Sequence, residues 1–375
     1  MKLVCIQEDL SRALGIVSRV TPKKSELPIT QNILLSAKDS MLKVTGTDLK
    51  TTITTWIEAQ VEEDGDITAP ATLLTNLVKT LPSEAVEIES TDTPIGVHIK
   101  CEGQQSNISG VHAEDFPAVP SIDEGIAATI ETAVLKQAAD RVAFAASEDD
   151  LRAVLSGVKA VIKGDTATFI ATDGFRLSVH TCKLAKALSE DIEFLVRARA
   201  MKEMGRILNG EGVVEFMVTD DLNHALFRIG DVEIISTLIS GAFPDYEKLI
   251  PSNITTKAVV NTDEFLRAVK TASIFAAENH NIIRLKAGEK DNGRGCLTLS
   301  SQASQVGDNT GEIEASITGN DAKIAFDSRF LVDVLGILDG DITMEMSDPT
   351  KPCVLRTATE DNDFAHIMMP MFVQW

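Results

Sequence analysis

Acidic side chains offer the first chemistry to weigh in this 375-residue chain. Carboxylates cluster at Glu62-Glu63-Asp64 and Glu148-Asp149-Asp150, and Asp173 sits inside Thr172-Asp173-Gly174-Phe175-Arg176. A nuclease or nucleotidyl transferase could hold magnesium on Asp173 or on Asp149-Asp150. Consecutive carboxylates resemble such a site only loosely, and they read better as solvated acidic loops. Asp173 has a partial copy at Thr47-Asp48. That points to a turn whose Thr and Asp side chains satisfy nearby backbone groups. The six histidines (His98, His112, His180, His224, His280, His366) never fall at a metal-ligand spacing such as HxxxH. Phosphate-cradling glycine loops and a GxSxG elbow are absent from the sequence. Cys5, Cys101, Cys182, Cys296 and Cys353 are odd in number and scattered, which argues for a reducing compartment over a disulfide framework or zinc site. No catalytic constellation and no cofactor are expected.

The elements around these residues repeat. Leu73, Ala200 and Phe330 align without a gap, as do Leu77, Met204 and Val334, then Leu81, Leu208 and Leu338. A second helical face recurs as Leu10, Ala13, Leu14 and Val17, as Leu135, Ala138, Ala139 and Val142, and less cleanly as Leu266, Val269 and Ser273. Val44-Thr45-Gly46-Thr47-Asp48-Leu49 matches Phe169-Ile170-Ala171-Thr172-Asp173-Gly174, whereas Leu297-Thr298-Leu299-Ser300-Ser301 lacks the Thr-Asp. Asp115-Phe116-Pro117 and Phe243-Pro244-Asp245 mark matching exits. Units this long can each hold a core. Three α+β domains follow, at 1–121, 122–252 and 253–375, each made of antiparallel strands with two helices on one face. Aromatic residues make up only 5% of the chain against 44% hydrophobic content, so aliphatic side chains must fill the cores.

A net charge of −21 ordinarily argues against nucleic acid. The six expected helical segments (8–20, 70–81, 131–147, 198–209, 262–278 and 327–339) nevertheless sum to zero. Most of their acids gather at N-termini (Glu8, Asp9, Glu131, Asp263, Glu264 and Asp327), where capping and the helix dipole favour them. Beyond those first turns come Arg12, Arg19, Lys79, Lys136, Arg141, Arg199, Lys202, Arg206, Arg267, Lys270 and Arg329. Diffuse cations without aromatics suit contact with phosphates, which carry no sequence information. A ring whose helices face a duplex fits this pattern, because topology retains the DNA without strong attraction. A purely protein-binding scaffold with incidental helix charge is the rival reading. The N-terminus meets Gln7-Glu8-Asp9 before a signal-peptide core can form, and no apolar run approaches the ~20 residues of a membrane span. The expectation is a soluble cytoplasmic protein without membrane contact.

Several motifs carry a resemblance. They are Leu27-Pro28-Ile29, Gly46-Thr47-Asp48-Leu49, Ala171-Thr172-Asp173-Gly174-Phe175-Arg176-Leu177, Gly241-Ala242-Phe243-Pro244-Asp245-Tyr246 and Met369-Pro370-Met371. In this order the whole chain resembles the bacterial sliding clamp family, the beta subunit of DNA polymerase III. The resemblance implies two subunits closing head to tail into a six-domain ring, with helices lining the hole. Its implied partners are encircled double-stranded DNA, the DNA polymerase III catalytic subunit, the clamp loader and other proteins with clamp-binding motifs. It also implies a peptide pocket walled by Leu155, Thr172, Gly174, Phe175, Arg176, Leu177, Pro244, Lys248, Leu249, Pro352, Met368, Met369, Pro370 and Met371. Arg176 and Lys248 would meet peptide carbonyls or acidic flanks, while Leu155 and Leu177 read equally well as core. Lys23 and Lys24 fall in a loop where family members touch DNA. Ser106 and Ile108 would face Ile274 and Phe275 of a second copy, although the latter pair could belong to the core. Departures include Phe175, where the family commonly has His or Tyr, and the acidic Glu148-Asp149-Asp150 near the hole. The extension Phe372-Val373-Gln374-Trp375 leaves Trp375 either over the pocket or disordered.

Overall fold

A computed structural model describes residues 1–188, 190–289, 293–303, 307–359 and 363–375, the side chain of Asp150 excepted. Helices form where the apolar periodicity places them: α1 (Gln7–Val17), α2 (Ala71–Thr80), α3 (Thr132–Val142), α4 (Ala198–Ile207), α5 (Thr262–Ala276) and α6 (Ser328–Leu335). Leu10, Ala13, Leu14 and Val17 are the buried stripe of α1, and Leu135, Ala138, Ala139 and Val142 that of α3. In α5 the stripe is Phe265, Val269, Ala272 and Ala276. Leu266, the expected counterpart of Leu10, is instead half-buried beside that core. The true equivalence lies one residue earlier, because the larger Phe265 takes the inward position. Side-chain caps start α5 and α6: Asn261 Oδ1 accepts from Glu264 N–H at 3.2 Å, and Asp327 Oδ1 from Arg329 N–H at 2.9 Å.

Strand pairing explains how the repeats join. The fourth strand of the first repeat, Thr51–Glu58, pairs antiparallel with the last strand of the second, Val232–Thr237, setting Ile53 opposite Ile234. This fuses strands of both into an eight-stranded sheet. The fourth strand of the second repeat, Arg176–Lys183, pairs likewise with the last strand of the third, Phe364–Met368, and yields a nine-stranded sheet. Two corresponding strands remain as free edges, Gly307–Glu314 of the third repeat and Gln104–Ser109 of the first. Because the sheets run across repeat boundaries, the chain condenses into two compact units and not three. One holds Met1–Lys136 with Arg199–Leu238, the other Gln137–Lys183 with Ile239–Trp375. Both strand partners of each seam lie within one unit.

Each repeat ends alike. Val111 N–H donates to Thr68 O at 3.2 Å, Ile239 N–H to Leu195 O at 2.9 Å, and Met371 N–H to Ala325 O at 2.7 Å. The chain then crosses the outer face of the fused sheet. Val119 and Ile122 cover Met217, Leu226 and Ile235 in the first crossing. In the second, Phe243, Tyr246 and Ile250 cover Ile170, Leu177, Val354 and Ile367 on both sides of the seam. Trp375 stands four residues past its exit bond, as Phe243 does. Its ring meets Lys323 Nζ at 5.1 Å, where Phe243 meets Lys159 Nζ at 6.0 Å. Trp375 of the C-terminal extension thus takes neither alternative expected for it and lies beside Lys323, as Phe243 lies beside Lys159.

Two histidines are sealed in or beside the second seam. His366 Nδ1 lies 2.7 Å from Ser178 Oγ, with its ring stacked on Phe144, and its buried Nε2 has no partner among the described residues. His180, opposite Phe364, lies 3.4 Å from Arg141 Nη1 and 3.9 Å from Asp363. Burial pushes the His366 imidazole down to about 3 and His180 to about 4, and Arg176 and Arg141 add to the respective shifts. Both stay neutral in the fold, while the unfolded chain protonates them near pH 6.5. Stability is therefore complete above about pH 6.5 and falls as pH drops toward the folded values. His366→Asn, which retains an acceptor for Ser178, is expected to flatten the decline of Tm between neutral pH and about pH 5.

Candidate functional site

The two Thr-Asp segments fold into the same turn. Thr47 Oγ1 accepts from Leu49 N–H at 3.0 Å, and Asp48 Oδ1 from Lys50 and Thr51 N–H at 3.0 and 2.7 Å. Thr172 Oγ1 accepts from Gly174 N–H at 3.1 Å, and Asp173 Oδ1 from Phe175 and Arg176 N–H, both at 2.9 Å. The second carboxylate oxygen of each Asp takes a guanidinium: Arg199 Nη1 on Asp48 at 2.8 Å, Arg176 Nε on Asp173 at 3.0 Å. Asp173 thus spends both oxygens on the turn. Asp149 caps its own short turn through Leu151 N–H at 3.0 Å, and the side chain of Asp150 lies outside the described residues. Among the described residues no three His, Cys, Asp or Glu side chains converge in a metal-binding group.

Arg176 organises the proposed pocket in a way the sequence did not suggest. Its side chain is 11% exposed. Besides Asp173 it donates to Asp333 Oδ2 at 2.6 Å and to Phe144 O at 3.0 Å, and it lies between the rings of Phe144 and Phe330. Each nitrogen of the fork donates to a partner within the fold, and these bonds fasten the Thr172 turn to α6. Asp333 and Phe144 carry no motif and Phe330 reads only as one position of the helical repeat, so only the distant contact shows their part here. Leu177 and Met368 are core, and Thr172 and Pro370 are buried. Leu155, Pro352 and Met371 are half-buried, and Gly174 takes a φ of +94° that a side chain would strain. The accessible apolar surface is Phe175, at 60% exposure, with Met369 and Leu249. Met369 N–H donates to Phe175 O at 2.9 Å, which sets these two on adjoining chains. Pro244 and Lys248 are exposed, and Lys248 pairs with Asp245 at 2.7 Å.

The candidate DNA contacts divide in the same manner. Lys23, Lys24, Lys79, Arg267 and Lys270 are exposed and have no carboxylate partner among the described residues. Arg199 binds Asp48 and also donates to Arg19 O and Val20 O, which ties α4 to the end of α1. Arg206 pairs with Glu203, Lys136 donates to Gly205 O at 2.6 Å, and Lys202 is half-buried and engaged. Arg141 departs from expectation: it is 13% exposed and paired with Asp363 at 2.8 Å, so it is not a surface cation.

Of the candidate subunit contacts, Ser106 and Ile108 lie on an edge strand as expected, but the side chain of Ile108 faces inward. It is 4% exposed, because Ser106 and Ile108 lie opposite the buried Ile99 and Val97 and share their inward face. What Gln104–Ser109 presents outward is its unpaired backbone edge. Ile274 is 71% exposed and Phe275 half-buried. Leu73, the counterpart of Ala200 and Phe330 in the repeat, is 54% exposed.

Comparison with known proteins agrees with this architecture. Family models of the DNA polymerase III beta subunit match in order: the N-terminal domain at residues 1–120, the central domain at 129–245 and the C-terminal domain at 247–372. The chain is 31% identical to the beta sliding clamp of Synechococcus elongatus over 360 residues, 95% of each protein. It is 27% identical to that of Bacillus subtilis over 99% of each. The solved DNA polymerase sliding clamp of Bacillus subtilis superposes over all of both chains with a TM-score of 0.89 at 27% identity. The Pseudomonas aeruginosa sliding clamp bound to griselimycin does so with a TM-score of 0.88 at 26% identity.

The contrast between the two cations of the pocket is measurable. Arg176→Ala strips Asp333 and Phe144 O of their partner, and is expected to cost about 2–4 kcal/mol in chemical denaturation. Lys248→Ala, at an exposed pair, should stay within about 0.5 kcal/mol of the parent.

Proposed function

The chain belongs to the DNA polymerase III beta-subunit family of bacterial sliding clamps, and from that premise we propose that it is a ring-forming processivity factor without enzymatic activity. It encircles duplex DNA and tethers the replicative polymerase. The single observation that carries the ring is the pairing rule. Both seams within the chain join the fourth strand of one repeat to the last strand of the next, and the unused pair is Gly307–Glu314 and Gln104–Ser109. These edges complement one another between two copies, head to tail, and a heterologous contact that closes gives a ring. Two copies of three clamp domains, at 1–121, 122–252 and 253–375, make six. The same repeat equivalences bring Ile274 to the place of Phe144 and Leu73 to that of Phe330, the two rings that flank Arg176 at the second internal seam. At the seam between copies, exposed Ile274 and Leu73 therefore replace an ion pair with an apolar contact.

Helix cations contact the phosphates loosely, and topology does the holding. Phe175, Met369 and Leu249 offer an adaptable apolar surface for a short peptide anchor, the means by which the polymerase catalytic subunit, the clamp loader and repair proteins would attach. Among the described residues no helix is long and apolar enough to cross a membrane; action on DNA in the cytoplasm is part of the proposal.

Retention on DNA tests the function. Protein loaded by a clamp loader onto nicked circular DNA should stay bound and leave only when the circle is linearised. Equal retention on both forms would mean ordinary binding, and a peptide-binding monomer never retained on circles would be a scaffold instead. Leu73→Glu and Ile274→Glu should each convert dimer to monomer in solution mass and abolish retention. Phe175→Ala with Met369→Ala should weaken partner peptides about tenfold or more while leaving the dimer intact.

A further inference from the structure

We propose that Met369 is a reversible oxidation site, and that a hydroperoxide acting on its thioether uncouples partner proteins from the clamp without opening the ring. The proposal rests on the docking face read above and adds how that face is regulated. Five cysteines and ten methionines supply the sulfur of the chain. Five of the methionines, Met368 among them, are buried, and four are half-buried. Met369 alone among the described sulfur residues is exposed, at 41%. The cysteines do not compete with it. Cys5, Cys101, Cys296 and Cys353 are buried, and Cys182 is half-buried. A thiol reacts as its thiolate. Burial pushes the Cys5 thiol up to about 12 and the Cys182 thiol up to about 11, with Asp9 and Asp363 adding to the respective shifts.

The location of that sulfur decides the consequence. Met369 N–H donates to Phe175 O at 2.9 Å, and the buried Met368 and Pro370 flank it. Its backbone is thereby fixed, while the side chain meets solvent on the same face as Phe175 and Leu249. A thioether there is apolar and adaptable, which suits an apolar peptide anchor. Oxidation forms an S–O bond as the O–O bond of hydrogen peroxide breaks. The sulfur gives up an electron pair, the peroxide is reduced, and water leaves. The resulting sulfoxide is polar. An anchor seated on it would bury the S–O oxygen without a donor, because neither Phe175 nor Leu249 has a side chain that can bond it. The edges that would join two copies, Gly307–Glu314 and Gln104–Ser109, contain no cysteine or methionine, and Leu73 and Ile274 add no sulfur. The ring would therefore stay closed on DNA while its partners leave. Exposure also leaves the sulfoxide open to enzymatic reduction, which returns the thioether.

The test uses the full-length protein treated with graded hydrogen peroxide. Peptide mapping by mass spectrometry should place the first added oxygen on Met369. The probe is a fluorescent peptide bearing the clamp-binding segment of the same organism's polymerase catalytic subunit. Its affinity should fall about tenfold in step with that oxygen. Methionine sulfoxide reductases should restore the affinity, which marks methionine and not cysteine as the oxidised group. Met369→Leu, whatever affinity it starts from, should lose less than about twofold under the same peroxide. Retention on nicked circular DNA should be the same before and after treatment. First oxidation at another methionine or at a cysteine would overturn the site, and so would an equal loss of affinity in Met369→Leu. Release from nicked circles on oxidation would overturn the sparing of the ring. The docking face and the uncoupling fail separately. A parent that binds the peptide equally before and after Met369 is oxidised removes the uncoupling and leaves the docking face. A parent that binds no peptide before any peroxide removes the docking face, and the uncoupling with it.

Discussion

Backbone pairing between the fourth strand of one repeat and the last strand of the next is the constraint from which the rest of this structure follows. It turns similar domains into continuous sheets, so their borders are hydrogen-bonded ladders and not loosely apposed surfaces. Everything stacked at a seam serves that ladder. Arg199 on Asp48 fastens the first seam and Arg176 on Asp173 and Asp333 the second, each linking a Thr-Asp turn to the second helix of the following repeat. The guanidinium comes from the helix in one case and from the turn in the other. The geometry persists although the charges have exchanged sides.

The two Thr-Asp turns show how one local motif can serve an extended surface. Asp173 holds the turn, the turn sets Arg176 and Phe175, and Phe175 shares a hydrogen-bonded rung with Met369. A residue whose type suits metal chemistry is thereby part of the support of an apolar docking face. The buried Thr pairs beside the first turn, Thr45 with Thr54 at 3.2 Å and Thr47 with Thr52 at 2.9 Å, satisfy one another inside the fold, whereas the buried hydroxyls of Thr51 and Thr55 on the same strand have no partner among the described residues.

Repetition makes much of this readable from sequence. The six helices, the Thr-Asp turns and the exits are legible because each occurs more than once, and copies average out accidental matches. A feature that occurs once, or that depends on partners far along the chain, is harder to read. Arg141 resembles any helix cation until Asp363, 222 residues away, is placed beside it. Leu266 competes with Phe265 because two adjacent apolar residues leave the phase of a helix ambiguous by one position. Ile108 reads as part of an edge strand, and only its pairing with Val97 shows which way that strand's alternate side chains point. The pocket residues are legible only through family resemblance. Of the fourteen, Thr172, Leu177, Met368 and Pro370 are buried, and which of the rest meet solvent is set by packing that no motif encodes.

The ends of the repeats bear on how such a ring could part. Covalent chain crosses both internal seams, and the crossings carry Val119 and Ile122 at one and Phe243, Tyr246 and Ile250 at the other. In the proposed ring of two chains, four joints lie within a chain and two between copies. A pull on that ring would be taken up first at the two joints between copies, where the edges Gly307–Glu314 and Gln104–Ser109 would meet. Each copy holds its own cores, so such a joint would close again without refolding.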